Sequence, residues 1–289
     1  MTGKLIGQLP VICVTGASGY LGGRVLAGLQ RVGIAATACP GRRDGLDLTD
    51  SEATINYFVR GKFDAVIHCA AYVPKVAKDY LDDGAGAASL SMTENIIAAN
   101  VPHIVFTSSM TVYPSGSPMP VREDSPDTGV TGYGGYKRRA ERALCAAEHL
   151  KATILRLPGL FGAPRQGGLL HNAAMRFAQG QVPTLTTPFP MWAAIHVDDA
   201  ADLLCRAAGT PPARSLILNA GYPDPMSVTR TVSQLAAIFG IEIPEDDAPL
   251  FQMDLSALTK ELGLPAHSLG ERLRELAVSA QESEETVCA

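Results

Sequence analysis

The sequence predicts an α/β fold in which a doubly wound parallel sheet is followed by a smaller C-terminal lobe. In the first half of the chain, short apolar runs typical of buried strands alternate with longer amphipathic stretches, and the connections between them are short. After residue 157 this alternation loosens into segments rich in glycine and proline. Repeated strand–helix alternation with short connections is typical of a parallel sheet that is covered by helices on both faces.

The individual elements follow from the spacing of the apolar residues. A short apolar run or an alternating pattern indicates a strand, and a period of about 3.6 residues indicates a helix. The predicted strands of the sheet are 11–14, 35–39, 65–68, 104–107 and 153–157. The predicted helices between and after these strands are 21–31, 54–59, 89–99 and 133–150.

The remaining elements suggest two domains. A helix over 171–179 lies in the looser region, 195–208 resembles a strand end with a helix that returns to the sheet, and further helices lie near 228–239 and 269–280. We therefore expect a sheet domain over 1–160, to which 193–208 returns, and a substrate-binding lobe over 161–192 and 209–280. The acidic end of the chain, 281–289, is expected to be a disordered tail.

Composition and charge exclude several classes of function. The chain has 289 residues, 46% of them hydrophobic, and a formal net charge of −5. Net acidity without a long basic run argues against binding to nucleic acid or to an anionic membrane. No run approaches the roughly 20 apolar residues that span a bilayer, and the N-terminus lacks the pattern of a signal peptide. We expect a soluble, cytoplasmic protein whose partner is a small-molecule substrate.

The cysteines carry no signal for a metal site or a disulfide framework. They form no C-x-x-C pair, and no histidine stands at ligand spacing from them, so we expect free thiols and no metal. The six cysteines are Cys13, Cys39, Cys69, Cys145, Cys205 and Cys288.

The segment between the first strand and the first helix has the glycine spacing of a turn that binds a dinucleotide. Gly16 permits a tight turn, Gly19 lets the backbone approach phosphate oxygens, and Gly22 lets helix and strand pack closely. The start of the helix supplies N–H donors and a favourable dipole for the pyrophosphate. The other residues assigned to this site are Ser18, Tyr20 and Leu21. Without corroboration, the same glycines would also suit an ordinary strand-to-helix turn.

Two later segments corroborate a dinucleotide site. Asp47 and Leu48 follow the second strand, where a carboxylate can meet an adenine edge. Cys69, Ala70 and Ala71 end the next strand with small residues, which a flat ligand can approach closely. The order of these segments along the chain therefore supports the assignment of the glycine turn.

Arg42 and Arg43 bear on the choice of cofactor. They follow the end of the second strand, where a carboxylate would hold the ribose hydroxyls of NAD. Two guanidinium groups suit a 2′-phosphate, so NADP is favoured over NAD. The alternative is that both arginines belong to a solvated loop.

Tyr133 and Lys137 are the candidate acid–base pair. They lie four residues apart at the start of a predicted helix, so both side chains project from one face. A tyrosine with its ordinary pKa of about 10 is a poor base at neutral pH, but a nearby ammonium group stabilises the phenolate. The pair can then exchange a proton with a substrate oxygen. Ser108 and Ser109 follow the strand that ends at Thr107, where a hydroxyl can orient that oxygen.

Together these motifs resemble the extended short-chain dehydrogenase/reductase superfamily, in the branch of NAD-dependent epimerases and dehydratases. The matching segments are 15–22, 47–50, 68–71, 107–113, 133–137, 156–162 and 195–199. The resemblance implies a Rossmann-type sheet domain and a catalytic triad of Ser109, Tyr133 and Lys137, with Lys137 also on the nicotinamide ribose. It implies further cofactor contacts at Thr107, Pro158 and Leu160, and a homodimer formed through the helices 89–99 and 133–150.

Three positions depart from the family pattern. Ser89 stands where an asparagine is usual in the helix before Thr93. Gly159 stands where many members have asparagine, and Trp192 stands where arginine is common. The last two changes remove polar contacts to a substrate diphosphate and add an indole, which favours a smaller or more apolar substrate than a sugar nucleotide. Other arginines of the chain could replace the missing donors.

The preferred hypothesis is an NAD(P)-dependent oxidoreductase or epimerase that transfers hydride at a hydroxyl or carbonyl carbon of a sugar-derived or other polyoxygenated substrate. A dehydratase is disfavoured because Met110 and Thr111, rather than an Asp-Glu pair, follow Ser109. Net reduction and epimerisation both stay open, since a reductase consumes its cofactor and an epimerase recycles it. The alternative is a dinucleotide-binding sensor or scaffold on the same fold that catalyses no reaction.

Overall fold

A computed structural model describes residues 10–74, 77–82, 86–185, 191–244 and 246–288. The strands of its main sheet are β1 (Ile12–Thr15), β2 (Ala36–Ala38), β3 (Ala65–His68), β4 (His103–Ser109), β5 (Lys151–Leu157) and β8 (Leu216–Asn219). They lie in the order β2-β1-β3-β4-β5-β8, and β2, β1, β3 and β4 pair in parallel. The predicted parallel α/β class is therefore confirmed.

The strand order favours a binding site at one edge of this sheet. The chain leaves β1 for β2 on one side and later adds β3 on the other side, so the strand order reverses at β1. Ligands of open α/β sheets bind beyond the carboxyl ends of the strands at such a reversal. All residues of β1 and β3 are buried, which explains why these strands are continuous apolar runs rather than alternating ones.

The helices lie close to their predicted positions, except for the short helix α8, which the sequence analysis did not predict. Their bounds are α1 (Tyr20–Arg31), α2 (Ser51–Gly61), α3 (Ala87–Ala98), α4 (Gly132–Ala146), α5 (Leu169–Ala178), α6 (Val197–Gly209), α7 (Val228–Ile238), α8 (Ser256–Glu261) and α9 (Leu269–Cys288). Side-chain caps define two of the starts, since Asp50 accepts from the N–H of Ala53 and Ser227 from that of Arg230. Among the described residues, no helix is long and apolar enough to cross a membrane.

Two helices end differently from the sequence prediction. α4 ends at Ala146 rather than residue 150, because Ala147 adopts extended backbone and the chain enters β5 at Lys151. α9 continues to Cys288, so the predicted disordered tail is wrong for residues 281–288. The helix packs against α5 and α7, and the Nε2 of Gln179 donates to Glu284 over 3.1 Å. These contacts extend the helix beyond the segment whose apolar period is visible in the sequence.

The chain forms two compact units. The first comprises the described residues of Met1–Val112, Asp127–Arg156 and Ala201–Leu218 and contains nearly all of the main sheet. The second comprises those of Tyr113–Pro126, Leu157–Ala200 and Asn219–Ala289, with a parallel pair of strands, β6 (Gly159–Phe161) and β7 (Ala194–His196). The range 209–280, expected in the lobe, therefore includes β8 of the main sheet. β8 joins the sheet by lying beside β5, a long-range contact that the local residue pattern does not reveal.

Candidate active site

The glycine turn connects β1 to α1 through backbone that only glycine fits at two positions. Gly16 has a φ of +65°, and a Cβ atom there would lie 2.8 Å from the amide nitrogen of Ala70. A Cβ atom on Gly22 would lie 2.2 Å from the carbonyl oxygen of Gly16. Both distances are shorter than atomic contact allows, so the turn, the start of α1 and the end of β3 pack at backbone distance.

The first turn of α1 has the features of an anion site. Gly19 precedes the helix and offers no side-chain acceptor to it, while its own N–H donates to the carbonyl of Gly16 over 2.9 Å. Ser18 and Gly19 are exposed, and Tyr20 and Leu21 are half-buried. A helix start supplies N–H donors and the positive end of the helix dipole. The geometry of the turn therefore fits the pyrophosphate of a dinucleotide.

The segment after β2 presents charged side chains. Arg42 and Arg43 are both exposed, and the Nε of Arg42 lies 2.8 Å from a carboxylate oxygen of Asp47. The backbone N–H and the hydroxyl of Thr49 also donate to Asp47, and together with Arg42 they hold the pKa of this carboxyl below its usual range. Leu48 is buried beside it. Arg42 is thus already paired with the carboxylate that the sequence assigned to the adenine edge.

A buried chain of hydrogen bonds braces the glycine turn. The N–H of Ala70 donates to the hydroxyl of Thr15 over 3.1 Å, and that hydroxyl lies 2.7 Å from Nδ1 of His68. On the other side of the ring, Nε2 lies 3.2 Å from the hydroxyl of Thr93, which donates to the carbonyl of Ser89. The hydroxyl proton of Thr93 is donated to Ser89, so this hydroxyl can only accept from Nε2 of His68. The network therefore places the ring proton on Nε2, and Nδ1 accepts from the hydroxyl of Thr15.

The sequence alone does not predict this chain of hydrogen bonds. A signal was present, because Thr15 and His68 are polar residues in strands whose other positions are apolar. Buried polar groups need hydrogen-bond partners, so such residues at two neighbouring strand ends indicate a shared network.

α4 places Tyr133 and Lys137 beside the end of β4. Lys137 is only 5% exposed, and its Nζ donates to the carbonyl of Thr107 over 2.6 Å. The same Nζ lies 4.7 Å from the ring centre of Phe106 and 5.7 Å from that of Tyr133. The Tyr133 ring also meets Tyr80 edge to face, with ring centres 5.5 Å apart. The two residues that the spacing predicted as a pair are therefore neighbours in the fold.

Ser109 ends β4 and is oriented by Thr111. The Oγ of Ser109 accepts hydrogen bonds from the N–H and from the hydroxyl of Thr111, over 3.2 and 2.9 Å. The start of α4 packs against Thr111, since a Cβ atom on Gly134 would lie 2.1 Å from the carbonyl oxygen of Thr111. Thr111 thus contacts both Ser109 and the turn that carries Tyr133. From the sequence, Thr111 belongs to a segment that matches the family and departs from the dehydratase pattern, but its contact with Ser109 is not predicted.

Burial shifts the pKa values of this cluster. It lowers the pKa of Lys137 to about 8, and burial together with the neighbouring phenol of Tyr80 raises the pKa of Tyr133 above its usual range. Burial, assisted by the charge of Lys137, lowers the pKa of His68 to about 3. At neutral pH the protein alone therefore holds a cationic lysine, a protonated tyrosine and a neutral histidine.

Tyr133 and Lys137 line the same small cavity as Ala70, Ala71 and Phe106. Ala70 and Ala71 follow Cys69 at the carboxyl end of β3, and all three are half-buried. The cavity therefore joins the candidate acid–base pair to residues predicted to contact the cofactor. A phenol and an ammonium group at this edge can exchange a proton with a hydroxyl bound beside them.

Pro158 and Leu160 lie in the second unit, where Leu160 pairs with Ile195 across the β6–β7 sheet. Their contact with a nicotinamide ring stays a prediction.

Ser89 is one of the departures from the family pattern. Its hydroxyl accepts a hydrogen bond from the N–H of Tyr72 over 2.7 Å.

The part of the chain that the structure describes contains no candidate metal site. No group of three or more His, Cys, Asp or Glu side chains there could hold a metal ion. The cysteines described as free thiols are Cys13, Cys39, Cys69, Cys145 and Cys205. The side chain of Cys288 lies outside the described residues.

The chain is similar in sequence to known enzymes. A family model described as "NAD dependent epimerase/dehydratase family" matches residues 12–221. The chain is 28% identical to a UDP-glucose 4-epimerase of Azospirillum brasilense, over 95% of this chain and 92% of that protein. It is 32% identical to a dTDP-4-dehydrorhamnose reductase of Streptomyces griseus, over 69% of this chain and 67% of that protein.

Two solved structures have a similar fold. A UDP-N-acetylglucosamine 4-epimerase from Bacillus cereus superposes with a TM-score of 0.77 at 20% identity, covering 94% of this chain and 99% of that one. A UDP-glucose-4-epimerase from Stenotrophomonas maltophila, described with bound NAD and formylated UDP-arabinopyranose, superposes with a TM-score of 0.75 at 22% identity, covering 96% and 99%. At these identities the likeness supports the fold.

Proposed function

Because the chain belongs to the NAD-dependent epimerase/dehydratase family, we propose that it inverts a hydroxyl-bearing carbon of a nucleotide-linked sugar by dinucleotide-dependent hydride transfer. Family membership confirms the predicted class, an NAD(P)-dependent enzyme of the extended short-chain dehydrogenase/reductase type. The observation that carries the proposal is the pair Tyr133 and Lys137, buried beside the predicted cofactor residues in one cavity. A UDP-glucose 4-epimerase matched over 92% of its length supports the sugar-nucleotide substrate over the smaller or more apolar one that Gly159 and Trp192 favour.

The cofactor would be held mainly by the turn and by the sheet edge. The backbone at Gly16, Gly19 and Gly22 would bind the pyrophosphate. Ala70 and Ala71, which follow β3, would border a flat part of the cofactor. When bound, a nicotinamide dinucleotide supplies the hydride acceptor and donor of this chemistry.

The preference for NADP over NAD stays a prediction based on Arg42 and Arg43. Both guanidinium groups are exposed, and two such groups suit a 2′-phosphate, which supports this preference. The pairing of Arg42 with Asp47 and the NAD bound to the Stenotrophomonas maltophila protein favour NAD. Calorimetric titration with each oxidised dinucleotide distinguishes the two.

The three candidate catalytic side chains have separate tasks. Tyr133 takes the proton of the substrate hydroxyl and returns it to the oxygen when the hydride comes back. Burial disfavours the phenolate form of Tyr133. The ammonium of Lys137, 5.7 Å from the ring centre of Tyr133, would favour it, because a nearby positive charge stabilises a phenolate. Ser109 accepts hydrogen bonds from Thr111, which leaves its own hydroxyl proton to point at the substrate oxygen.

Net reduction of a keto-sugar is the second candidate function. The 32% identity to a dTDP-4-dehydrorhamnose reductase and the exposed Arg42–Arg43 pair favour it. The two candidates differ in cofactor use, since a reductase consumes one reduced dinucleotide per product and an epimerase leaves its cofactor unchanged overall. Following the dinucleotide absorbance during turnover therefore separates them.

The test uses the purified protein, NAD⁺ or NADP⁺, and UDP-glucose, with the products identified by NMR. Tyr133→Phe should retain dinucleotide affinity and lose about 10²- to 10⁴-fold in rate, the range ascribed to general acid–base catalysis. Tyr136→Phe is the matched control, because it removes a phenol from the same helix with no lysine four residues later. Full activity of Tyr133→Phe refutes the assignment. Dinucleotide binding without turnover of any sugar nucleotide or keto-sugar favours the sensor instead.

Two further expectations from the sequence are proposals of the same kind. We propose a homodimer formed through α3 and α4, which analytical ultracentrifugation of the purified chain tests. We also propose that the second unit supplies the substrate-binding lobe. The cytoplasmic location stays a prediction.

A further inference from the structure

A third ionisable side chain follows the acid–base pair along α4. Tyr133, Lys137 and Glu141 are spaced by four residues each, so they lie on one face of the helix. Glu141 is only 1% exposed, although it carries a carboxylate. A buried charge is costly unless it is paired, so its partners indicate what it is for.

Glu141 binds both strands beneath the helix. One carboxylate oxygen accepts from the hydroxyl of Ser108 over 2.5 Å and from Nε of Arg156 over 3.0 Å. The other oxygen accepts from Nη2 of Arg156 over 2.9 Å and from Nη1 of Arg138 over 2.5 Å. Arg156 belongs to β5 and is also 1% exposed. The carboxylate therefore connects α4 to β4 through Ser108 and to β5 through Arg156.

The last residues of β4 are engaged one after another by the same helix face. The carbonyl of Thr107 accepts from Nζ of Lys137, the hydroxyl of Ser108 donates to Glu141, and Ser109 ends the strand. These two hydrogen bonds, to adjacent residues of β4, fix both the rotation of α4 and its position along β4. That position sets where Tyr133 stands relative to Ser109.

We propose that Glu141 is a positioning residue, which holds α4 in register with the end of β4 through Ser108 and thereby aligns Tyr133 and Lys137 with Ser109. Stability alone is a weak reason for this arrangement, because apolar residues of similar volume often replace buried ion pairs without loss. A directed, fully hydrogen-bonded carboxylate specifies one geometry, as a catalytic constellation requires. The negative charge of Glu141 also opposes the effect of burial on Lys137. The inference rests on the proposed function.

Ser108→Ala tests the tie to β4 while leaving the Glu141–Arg156 pair intact. We expect kcat to fall by about 10- to 100-fold, because small misplacements of catalytic groups reduce rate strongly. KM and dinucleotide affinity should stay at the wild-type values, since Ser108 contacts neither ligand in the proposed mechanism. The melting temperature should change little, because Glu141 keeps its arginine partners.

Two further variants separate positioning from general stability. Glu141→Gln should show the same loss in kcat and, in addition, a lower melting temperature, because Arg156 loses its charged partner. Arg142→Ala is the matched control. Arg142 lies one residue along the helix, its side chain is 66% exposed, and it pairs with Asp127 over 2.7 Å at the outer end of the same network. This control should have wild-type kcat.

The inference is decided by whether kcat changes while KM and the melting temperature stay constant. A loss of kcat in Ser108→Ala at constant KM and melting temperature supports the inference. Wild-type kcat in that variant, or a loss of rate that only accompanies unfolding, overturns it.

If the wild-type protein turns over no sugar nucleotide, the proposed function has failed, and hydrogen–deuterium exchange of the dinucleotide complex decides the positioning separately. Faster exchange at residues 107–112 in Ser108→Ala than in Arg142→Ala supports it, and equal exchange overturns it.

Discussion

The two ends of the predicted dinucleotide site are built in opposite ways. At the glycine turn, the contact that matters is backbone against backbone, with a Cβ atom on Gly22 placed 2.2 Å from a carbonyl oxygen. Behind β2, the candidate contacts are long side chains, and the side chain of Arg42 is 69% exposed while paired with Asp47. Backbone packing admits one arrangement, whereas exposed side chains select among several rotamers. We therefore expect changes in the turn to affect whether a dinucleotide binds, and changes in the arginines to affect the preference between NADP and NAD.

Substitution at the turn should have the largest effect. Gly22→Ala should weaken dinucleotide binding by about 100-fold, since overpacking of a tight site costs about 1–3 kcal/mol and the turn itself must shift. Gly23→Ala is the control one residue further along α1, where a Cβ atom would lie an acceptable 3.4 Å from the carbonyl of Ala17. Calorimetric titration measures both variants. Wild-type affinity in Gly22→Ala would break the comparison.

Dinucleotide binding should depend on pH through the buried Lys137, whereas the contribution of the exposed arginines should not. With its pKa lowered to about 8, Lys137 is charged below pH 8 and loses its proton as the pH rises through that value. Affinity for the reduced dinucleotide should therefore fall above pH 8 by about tenfold, the worth of one hydrogen bond from a charged group. Lys137→Arg should remove this step, because guanidinium keeps its charge. A flat profile in the wild type would contradict the assignment of Lys137 to the ribose.

The exposed side should affect selectivity instead of binding as such. Arg43→Ala should weaken NADP⁺ binding by about tenfold through the loss of one charge-assisted hydrogen bond, and NAD⁺ binding should not change. Arg42→Ala should have a smaller effect, since Arg42 is already paired with Asp47. Titrations with both dinucleotides provide the internal control. Equal losses for the two dinucleotides would show that the arginines do not read the 2′ position.

The smallest effect on binding is expected from the hydrogen-bond chain behind the turn. Thr93→Val keeps the shape but leaves Nε2 of His68 without its acceptor, which should lower the free energy of unfolding by about 1–3 kcal/mol. Dinucleotide affinity should fall only a few-fold, because His68 acts on the turn through Thr15. Thr93→Ser retains the hydroxyl and should behave as the wild type in chemical denaturation. Equal denaturation of the two variants would exclude a bracing role.

The comparison also separates what local sequence determines from what it leaves open. The strand–glycine–helix succession at 12–31 was predicted from sequence because each part is a local signal: apolar period, glycine spacing and helix start. The proximity of Tyr133 and Lys137 followed in the same way from the geometry of a single helix. These features depend on residues within one or two turns of each other.

Only the tertiary structure decided how these pieces are held. The pairing of Arg42 with Asp47, the bonds of His68 to Thr15 and Thr93, and the junction of Glu141 with Arg156 depend on which side chains meet. Such partners belong to different elements, and their choice depends on strand order, helix rotation and burial, which leave no period in the sequence. The extension of α9 to Cys288 has the same cause, since contacts with α5 and α7 stabilise a segment whose own apolar pattern has ended.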